Sequence, residues 1–149
     1  MKYLEEEGVE YVEVPDGIER IEPKAFKDSK YLKKVRLPEG IEAIRQNAFE
    51  GCEMLSEINI PESVVSIDGC AFSGCRNLNE GTLPEGLSRL GTKAFAGCSE
   101  LTEVTVPNSV TEMGMGVFMK CSNLEKVILP EGLEIDKFTF MNCEKLKNE

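Results

Sequence analysis

Six of the seven prolines in this 149-residue chain recur at a constant interval of 23 residues, at positions Pro15, Pro38, Pro61, Pro84, Pro107 and Pro130. An interval this regular is typical of repeat proteins, in which each unit buries its apolar side chains only by stacking on its neighbours. The prolines divide the chain into a partial repeat 1–14, five complete repeats and a truncated repeat 130–149. The complete repeats are called units 1 to 5, and they span 15–37, 38–60, 61–83, 84–106 and 107–129.

Other apolar residues recur in the same register as the prolines. The unit reads P-x-x-I-x-x-I-x-x-x-A-F-x-x-C-x-x-L-x-x-V-x-L, as in unit 2 with Ile41, Ile44, Phe49, Cys52 and Leu55. The truncated repeat lacks one residue, so Phe140, Cys143 and Leu146 each lie one position early. Nearly every Pro, Phe, Leu and Cys therefore has a place in the repeat, which indicates an architectural role.

The end of each unit predicts a short parallel strand. In L-x-x-V-x-L the apolar residues alternate with period two, so they lie on one side and the residue between them lies on the other. The Pro that follows ends the strand because it has no N–H to donate. The I-x-x-I-x-x-x-A-F segment is too short for an α-helix and predicts an extended arm with a 3₁₀ turn. The column of Gly51, Gly74 and Gly97 predicts a turn with positive φ.

The repeat resembles that of the BspA-like leucine-rich repeat proteins, whose pattern is L-x-x-I-x-L-P-x-x-[IVL]-x-x-I-x-x-x-A-F-x-x-C. The pattern is plain in 55–75 and 101–121, and the resemblance covers 9–146. It implies a single leucine-rich-repeat solenoid over 1–149, a right-handed coil of about six turns that is mainly β. It also implies adhesion or protein binding, often at a cell surface. No signal peptide or anchor is recognisable, so the chain as written is expected to be cytoplasmic, in contrast to many members of the family.

Composition excludes several classes of function. The net charge is −10, so phosphate backbones and anionic lipid surfaces are repelled, and neither nucleic acid nor an inserted membrane is an expected partner. No apolar run approaches the roughly 20 residues of a membrane span. The chain has no histidine, which removes the commonest general base and most zinc and iron ligand sets. We therefore predict a protein that is not an enzyme and has no cofactor.

Two columns of reactive side chains have both a functional and an architectural interpretation. Five cysteines are in register, and parallel side chains in one row are poorly placed for disulfides or for a tetrahedral metal site. We expect these thiols to be buried and to donate to turn carbonyls, and we expect Cys70, which is in a different column, to be more exposed. An acidic column follows the prolines, as at Glu39, Glu62 and Glu85. Calcium binding is conceivable there, although no loop supplies further oxygen ligands, and a solvated edge is the simpler interpretation.

The outward positions of the strands are the positions that the repeat does not specify, so they are the candidate binding residues. They are Arg36, Glu57, Asn59, Glu80, Thr82, Glu103, Thr105, Lys126 and Ile128. We predict a module that binds an unidentified protein through this strand face. The alternative is a structural spacer or a fragment of a larger repeat protein that associates end to end. Gly81 replaces an aliphatic residue in a core strand column, which predicts a local defect or bulge.

Overall fold

The computed structural model describes residues 8–146, and it contains ten short strands and no helix within that range. No segment of this range is therefore a helix able to cross a bilayer. The strands are β1 Tyr11–Glu13, β2 Arg20–Ile21, β3 Lys34–Arg36, β4 Ala43–Ile44, β5 Glu57–Ile58, β6 Ser66–Ile67, β7 Arg89–Leu90, β8 Glu103–Thr105, β9 Glu112–Met113 and β10 Lys126–Ile128.

All the strand pairs are parallel, and each strand pairs with its equivalent one repeat away. Tyr11 aligns with Lys34 on one side of the coil, and Arg20 aligns with Ala43 on the other. The predicted strands form the first side, in the orders β1-β3-β5 and β10-β8. The arm of each unit forms a second sheet, in the order β2-β4-β6-β7-β9. The predicted solenoid is confirmed, with about five turns, where about six were expected, between two ribbons of short strands.

The first sheet is interrupted in unit 3, where Gly81 takes the place of an aliphatic residue. One isolated bridge, between Thr82 and Thr105, is the only β-pairing that this part of unit 3 makes. A Cβ atom at Gly81 would lie 2.9 Å from Cδ1 of Leu101 and 3.0 Å from Cγ2 of Val104. The neighbouring side chains therefore fill the space that an aliphatic residue would take. The predicted defect is confirmed as a break in the ladder.

In each arm, the residues between the second-sheet strand and the Cys column form a series of separate turns. In unit 2, the N–H groups of Ala48, Glu50 and Cys52 each donate to the carbonyl three residues earlier. These i→i−3 bonds close separate β-turns and not the expected 3₁₀ turn, because Asn47 and Gly51 have φ values of 58° and 75°. A positive φ at the third residue is the geometry of a type II turn.

Two columns of residues adopt positive φ in each arm. The predicted Gly column is confirmed, and the other residues at this position, Asp28, Lys120 and Asn142, share its geometry with φ between 58° and 62°. Sequence reasoning missed the second column, which comprises Lys24, Asn47, Cys70, Lys93 and Gly116. In both columns the N–H group donates to the next coil, as in the bond of 2.8 Å from Gly51 to the Ser73 carbonyl. The left-handed conformation therefore directs these amides along the solenoid axis.

The core is built from side-chain columns that run along the axis. The rings of Phe26, Phe49, Phe72, Phe95, Phe118 and Phe140 stack with centroids 5.1–6.0 Å apart and planes within 14° of parallel. Parallel stacking is imposed by the repeat, because identical side chains occupy identical positions one coil apart. Each ring is therefore covered on both faces by its neighbours, except at the two ends of the stack.

The cysteine column packs beside the phenylalanines, and each thiol donates to the carbonyl of a Phe in the preceding coil. The Sγ–O distances are 3.0–3.3 Å, from Cys52 to Phe26 through Cys143 to Phe118. All five thiols are buried, whereas Cys70 is only half-buried. Both expectations for the cysteines are confirmed. The thiol acts as a small side chain with a weak donor that satisfies a turn carbonyl.

The truncated repeat keeps its register despite the missing residue. Phe140 stacks on Phe118, and its neighbour Thr139 is fully buried in the column of small residues. The carboxylate of Asp136 accepts the N–H groups of Gly116 and Phe138 and the hydroxyl of Thr139. In other coils a main-chain carbonyl accepts the amide equivalent to that of Gly116, as the Met115 carbonyl does for Lys93. A side-chain oxygen thus replaces the main-chain acceptor where the chain is one residue short.

Burial of the thiol column predicts a loss of stability at alkaline pH. Burial raises the pKa of Cys52 and of Cys98 from 9.0 to about 12. The folded state therefore keeps these thiols protonated, whereas the unfolded chain ionises them above pH 9. Their contribution is complete below about pH 9 and is lost as pH rises from 9 to 12, at a limiting slope of about 1.4 kcal/mol per pH unit for each thiol.

Urea unfolding under reducing conditions, from about pH 7 to pH 11, measures this effect. The difference in unfolding free energy between the wild type and Cys98→Ala should shrink as the pH rises, because only the wild type loses the Cys98 contribution. Cys70→Ala is the control, since Cys70 is partly exposed and its difference should change less. A Cys98→Ala difference that stays constant across this range would contradict the argument.

Candidate protein-binding face

The nine candidate residues lie on one side of the solenoid, and all nine side chains are exposed. They project from the first sheet and its interrupted unit 3, and we call this surface the strand face. The register brings equivalent positions of successive units together, as in the alignment of Glu103 with Lys126 and of Thr105 with Ile128. The structure thus places the nine residues on a common surface, as the alternation within each strand predicted.

The N-terminal half of the strand face is paired internally. Nζ of Lys34 lies 3.3 Å from a carboxylate oxygen of Glu57, and Nε of Arg36 lies 3.6 Å from a carboxylate oxygen of Glu13. These side chains are more than half exposed, so the two pairs contribute little to stability. Their effect is on the surface potential, because each cation is neutralised by a neighbouring carboxylate.

Asn59 has a structural contact as well as an exposed position. Its Oδ1 accepts the N–H of Leu37 at 2.8 Å, and its Nδ2 donates to the Leu37 carbonyl at 2.9 Å. In the equivalent place one unit earlier, the main-chain carbonyl of Arg36 accepts the N–H of Val14. The side chain of Asn59 therefore takes over a main-chain bond where the ladder begins to break, and less of its polar surface is left for a partner.

Two adjoining grooves run along the strand face. The first has a volume of about 800 Å³, and its lining includes Arg36, Glu57, Asn59 and Glu80. The second has a volume of about 550 Å³, and its lining includes Glu80, Thr82, Glu103 and Thr105. Asn79 and Glu80 line both grooves, so the two meet at unit 3. Lys126 and Ile128 line neither groove and lie farther along the face.

Sequence reasoning missed several residues of the groove walls. Ser56, Asn79 and Thr102 lie on one side, and Glu85 and Pro107 lie on the other. The first three precede the strands at equivalent positions of units 2, 3 and 4, so the register could have identified them as a polar column. The prediction considered only the positions within each strand, and it therefore described the floor of the grooves without their walls.

The other candidate chemistry does not assemble into a site in the residues that the structure describes. Across 8–146, no three Cys, Asp or Glu side chains converge in an arrangement that could hold a metal ion. In the acidic column, a carboxylate oxygen of Glu62 instead accepts the N–H of Glu85 at 3.1 Å. Burial raises the pKa of Cys70, so the half-buried thiol at this position is less ionised than an exposed cysteine.

Comparison with known proteins agrees with this architecture. The chain matches the family described as BspA type leucine-rich repeat region in six copies, over residues 2–121 and 42–148. The matches extend over nearly the whole chain, and the chain therefore belongs to the BspA-type leucine-rich repeat family. No functionally curated protein matches it significantly.

Solved structures of bacterial leucine-rich repeat proteins share the fold. A Bacteroides ovatus leucine-rich repeat protein is 35% identical with a TM-score of 0.88, and the match covers 93% of this chain and 38% of that one. The Treponema protein described as T. pallidum leucine-rich repeat protein is 29% identical with a TM-score of 0.81, covering 95% and 79%. The pneumococcal vaccine antigen PcpA is 26% identical with a TM-score of 0.79, covering 95% and 36%.

The chain is short beside two of these three proteins. It spans 38% of the Bacteroides ovatus protein and 36% of PcpA, although it spans 79% of the Treponema protein. The likeness is therefore to part of each of the two longer proteins. It concerns the stacked coils described above.

Proposed function

We propose that this chain is a non-catalytic module that binds another protein through its strand face. The observation that carries the proposal is the pair of adjoining grooves on that face, whose linings include exposed residues that the repeat leaves free to vary. Solenoids offer such extended surfaces to their partners without covalent chemistry. The description of PcpA as a vaccine antigen supports the proposal by analogy, since an antigen of this fold is accessible to other proteins.

A four-residue variant of the strand face tests the proposal. Arg36, Glu57, Glu103 and Thr105 are replaced by alanine in the tagged, folded chain, and proteins retained from an extract of the source cells or their surroundings are quantified. We expect at least about ten-fold less of a specific partner to be retained, because contacts at the centre of an interface carry most of its binding energy. Surface substitutions of this kind should change the free energy of unfolding little.

A matched variant of the second sheet provides the control. Arg20, Glu42, Glu112 and Thr111 are exposed, and they carry the same charges as the four strand-face residues. Alanine at these positions should leave retention of the partner unchanged. If this variant loses the partner and the strand-face variant keeps it, binding occurs on another surface and the proposal is wrong.

A second candidate function is a structural spacer that associates end to end. It is favoured by a mainly apolar cavity of about 800 Å³ at the N-terminal coil, whose lining includes Val12, Val14, Ile18 and Phe26. An apolar surface at the terminal coil of a solenoid favours contact with another coil. A spacer would bind no partner through its strand face, so the two variants would behave alike and the chain would associate with itself as its concentration rises.

A further inference from the structure

We infer that the partner presents an extended, positively charged segment, and that this segment binds at unit 3, where the first sheet is interrupted. The inference rests on the proposed use of the strand face and specifies the chemistry of its partner. Two independent observations carry it. One concerns the main chain of unit 3, and the other concerns the distribution of charge along the strand face.

Apart from the bridge between Thr82 and Thr105, the main chain of unit 3 lacks the bonds that join the other units on this face. The N–H groups of Ser56 and Glu57 donate to the Lys33 carbonyl, and those of Glu125 and Lys126 donate to the Thr102 carbonyl. In the described chain, no equivalent bond joins Asn79 or Glu80 to the Ser56 carbonyl, or Thr102 or Glu103 to the Asn79 carbonyl. The repeat therefore leaves donors and acceptors of its main chain unpaired at one place.

These unpaired groups border the grooves. Asn79 and Glu80 line both grooves, and the second groove extends over residues 79–83 and the facing side of unit 4. Main-chain groups without a protein partner are satisfied by water or by a ligand. An extended polypeptide segment is suited to this place, since its own N–H and C=O groups alternate in direction and can bond to both donors and acceptors.

Both grooves of the strand face are lined by more acidic than basic side chains, but only the first contains ion pairs. In the first groove Lys34 and Arg36 pair with Glu57 and Glu13, and three further carboxylates, Asp16, Glu39 and Glu80, line it. The second groove is lined by three carboxylates, Glu80, Glu85 and Glu103, and by no Lys or Arg. Among the described residues, none of these three carboxylates lies within 4.0 Å of a basic group. The unpaired main chain thus borders a groove whose lining has carboxylates and no basic residue.

A negative groove selects a positively charged occupant. Complementary charge raises the association rate and disfavours partners of the same sign. A second copy of this chain carries the same net charge of −10, so it is a poor occupant of this groove. The complementary segment is one with lysine or arginine side chains for Glu80, Glu85 and Glu103 and with a main chain free to bond.

Titration with synthetic peptides, followed by amide chemical shifts of the whole isotopically labelled chain, tests the inference. The probe is a peptide of alternating lysine and threonine, and the comparison peptides replace each lysine by glutamine or by glutamate. We expect the lysine peptide to shift the amides of 79–83 and 102–105 and to bind more weakly as salt increases. The double variant Glu80→Gln with Glu103→Gln should bind the lysine peptide about five-fold more weakly, as expected for the loss of two exposed ion pairs.

The matched control is Glu42→Gln with Glu112→Gln, which changes the net charge equally. Glu112 lies in β9 of the second sheet and Glu42 directly precedes β4; both are exposed, and neither takes part in an ion pair within the described chain. This variant should bind the lysine peptide as the wild type does. Equal weakening of both variants would mean attraction to net charge alone and would overturn the inference.

The comparison peptides separate the inference from the proposed function. If the glutamine or glutamate peptide binds unit 3 as well as the lysine peptide does, the positively charged partner is wrong while binding at the strand face stands. If all the shifts lie on the second sheet, both are wrong. Shifts at units 1 and 2 without shifts at 79–83 would overturn only the location of the site at unit 3.

Discussion

Replacing Phe72 by alanine is expected to lower the free energy of unfolding by about 3–5 kcal/mol. Phe72 is fully buried, and its ring stacks between Phe49 and Phe95 with centroid distances of 5.3 and 5.2 Å. Alanine would remove contacts from the rings of both neighbouring coils and leave a cavity that the repeated backbone cannot close. Urea unfolding followed by circular dichroism measures the change.

The end of the same column provides the control for Phe72. Phe140 is only half-buried and stacks on a single ring, Phe118, at 6.0 Å. Phe140→Ala should therefore cost clearly less than Phe72→Ala, although the two substitutions remove the same atoms. If the two losses are equal, the contribution of a Phe side chain to the free energy of unfolding does not depend on a stacked ring on each face. That result would contradict the role assigned to the Phe column.

Gly91→Ala should also destabilise the fold strongly, by about 3 kcal/mol. A Cβ atom at Gly91 would lie 2.3 Å from the amide nitrogen of Gly69 and 2.6 Å from the carbonyl carbon of Asp68. Both contacts are with main chain in the preceding coil. The N–H of Gly91 donates to the Ile67 carbonyl at 2.7 Å, so the two coils cannot separate without weakening their ladder.

Gly86→Ala is the matched control in the same unit. A Cβ atom there would meet only the Glu62 carbonyl oxygen, at 3.4 Å. The free energy of unfolding should change by no more than about 0.5 kcal/mol, because the substitution is exposed and without a clash. Thermal or urea unfolding of the two variants side by side measures the difference. A Gly91→Ala variant as stable as Gly86→Ala would contradict the interpretation.

Much of the fold could be predicted from the sequence because most columns have one physical requirement. Pro follows each strand of the first sheet, Phe and Leu fill the interior, and Gly51 and its equivalents adopt positive φ. The one-residue deletion in the last unit was also predictable, since Phe140 and Cys143 keep their contacts with the preceding coil. In each case the requirement is a size, a missing donor or a backbone angle that the residue type itself specifies.

The features that were missed depend on contacts between units. The second positive-φ column contains Lys24 and Cys70 as well as Asn47, so residue type alone gives no signal for it. The bonds of Asn59 with the Leu37 main chain and the walls of the grooves also depend on how adjacent coils meet. On the strand face, the alternation of residues predicted which side chains are exposed. The identity of a partner depends on the surfaces of both proteins, and the sequence of this chain gives only one of them.

The bonds between coils in the turn arms have a consequence for how such a chain can change through evolution. Equivalent amides donate to equivalent carbonyls in successive units, as Phe26, Phe49 and Phe72 do to the Ala of the next coil. Duplication or removal of one whole unit restores every one of these bonds, whereas a change of a few residues within a unit needs a local substitute, such as the Asp136 carboxylate in the last repeat. Array length and surface chemistry can therefore vary independently, and a lineage can acquire a longer or a differently charged array by steps that leave each coil intact.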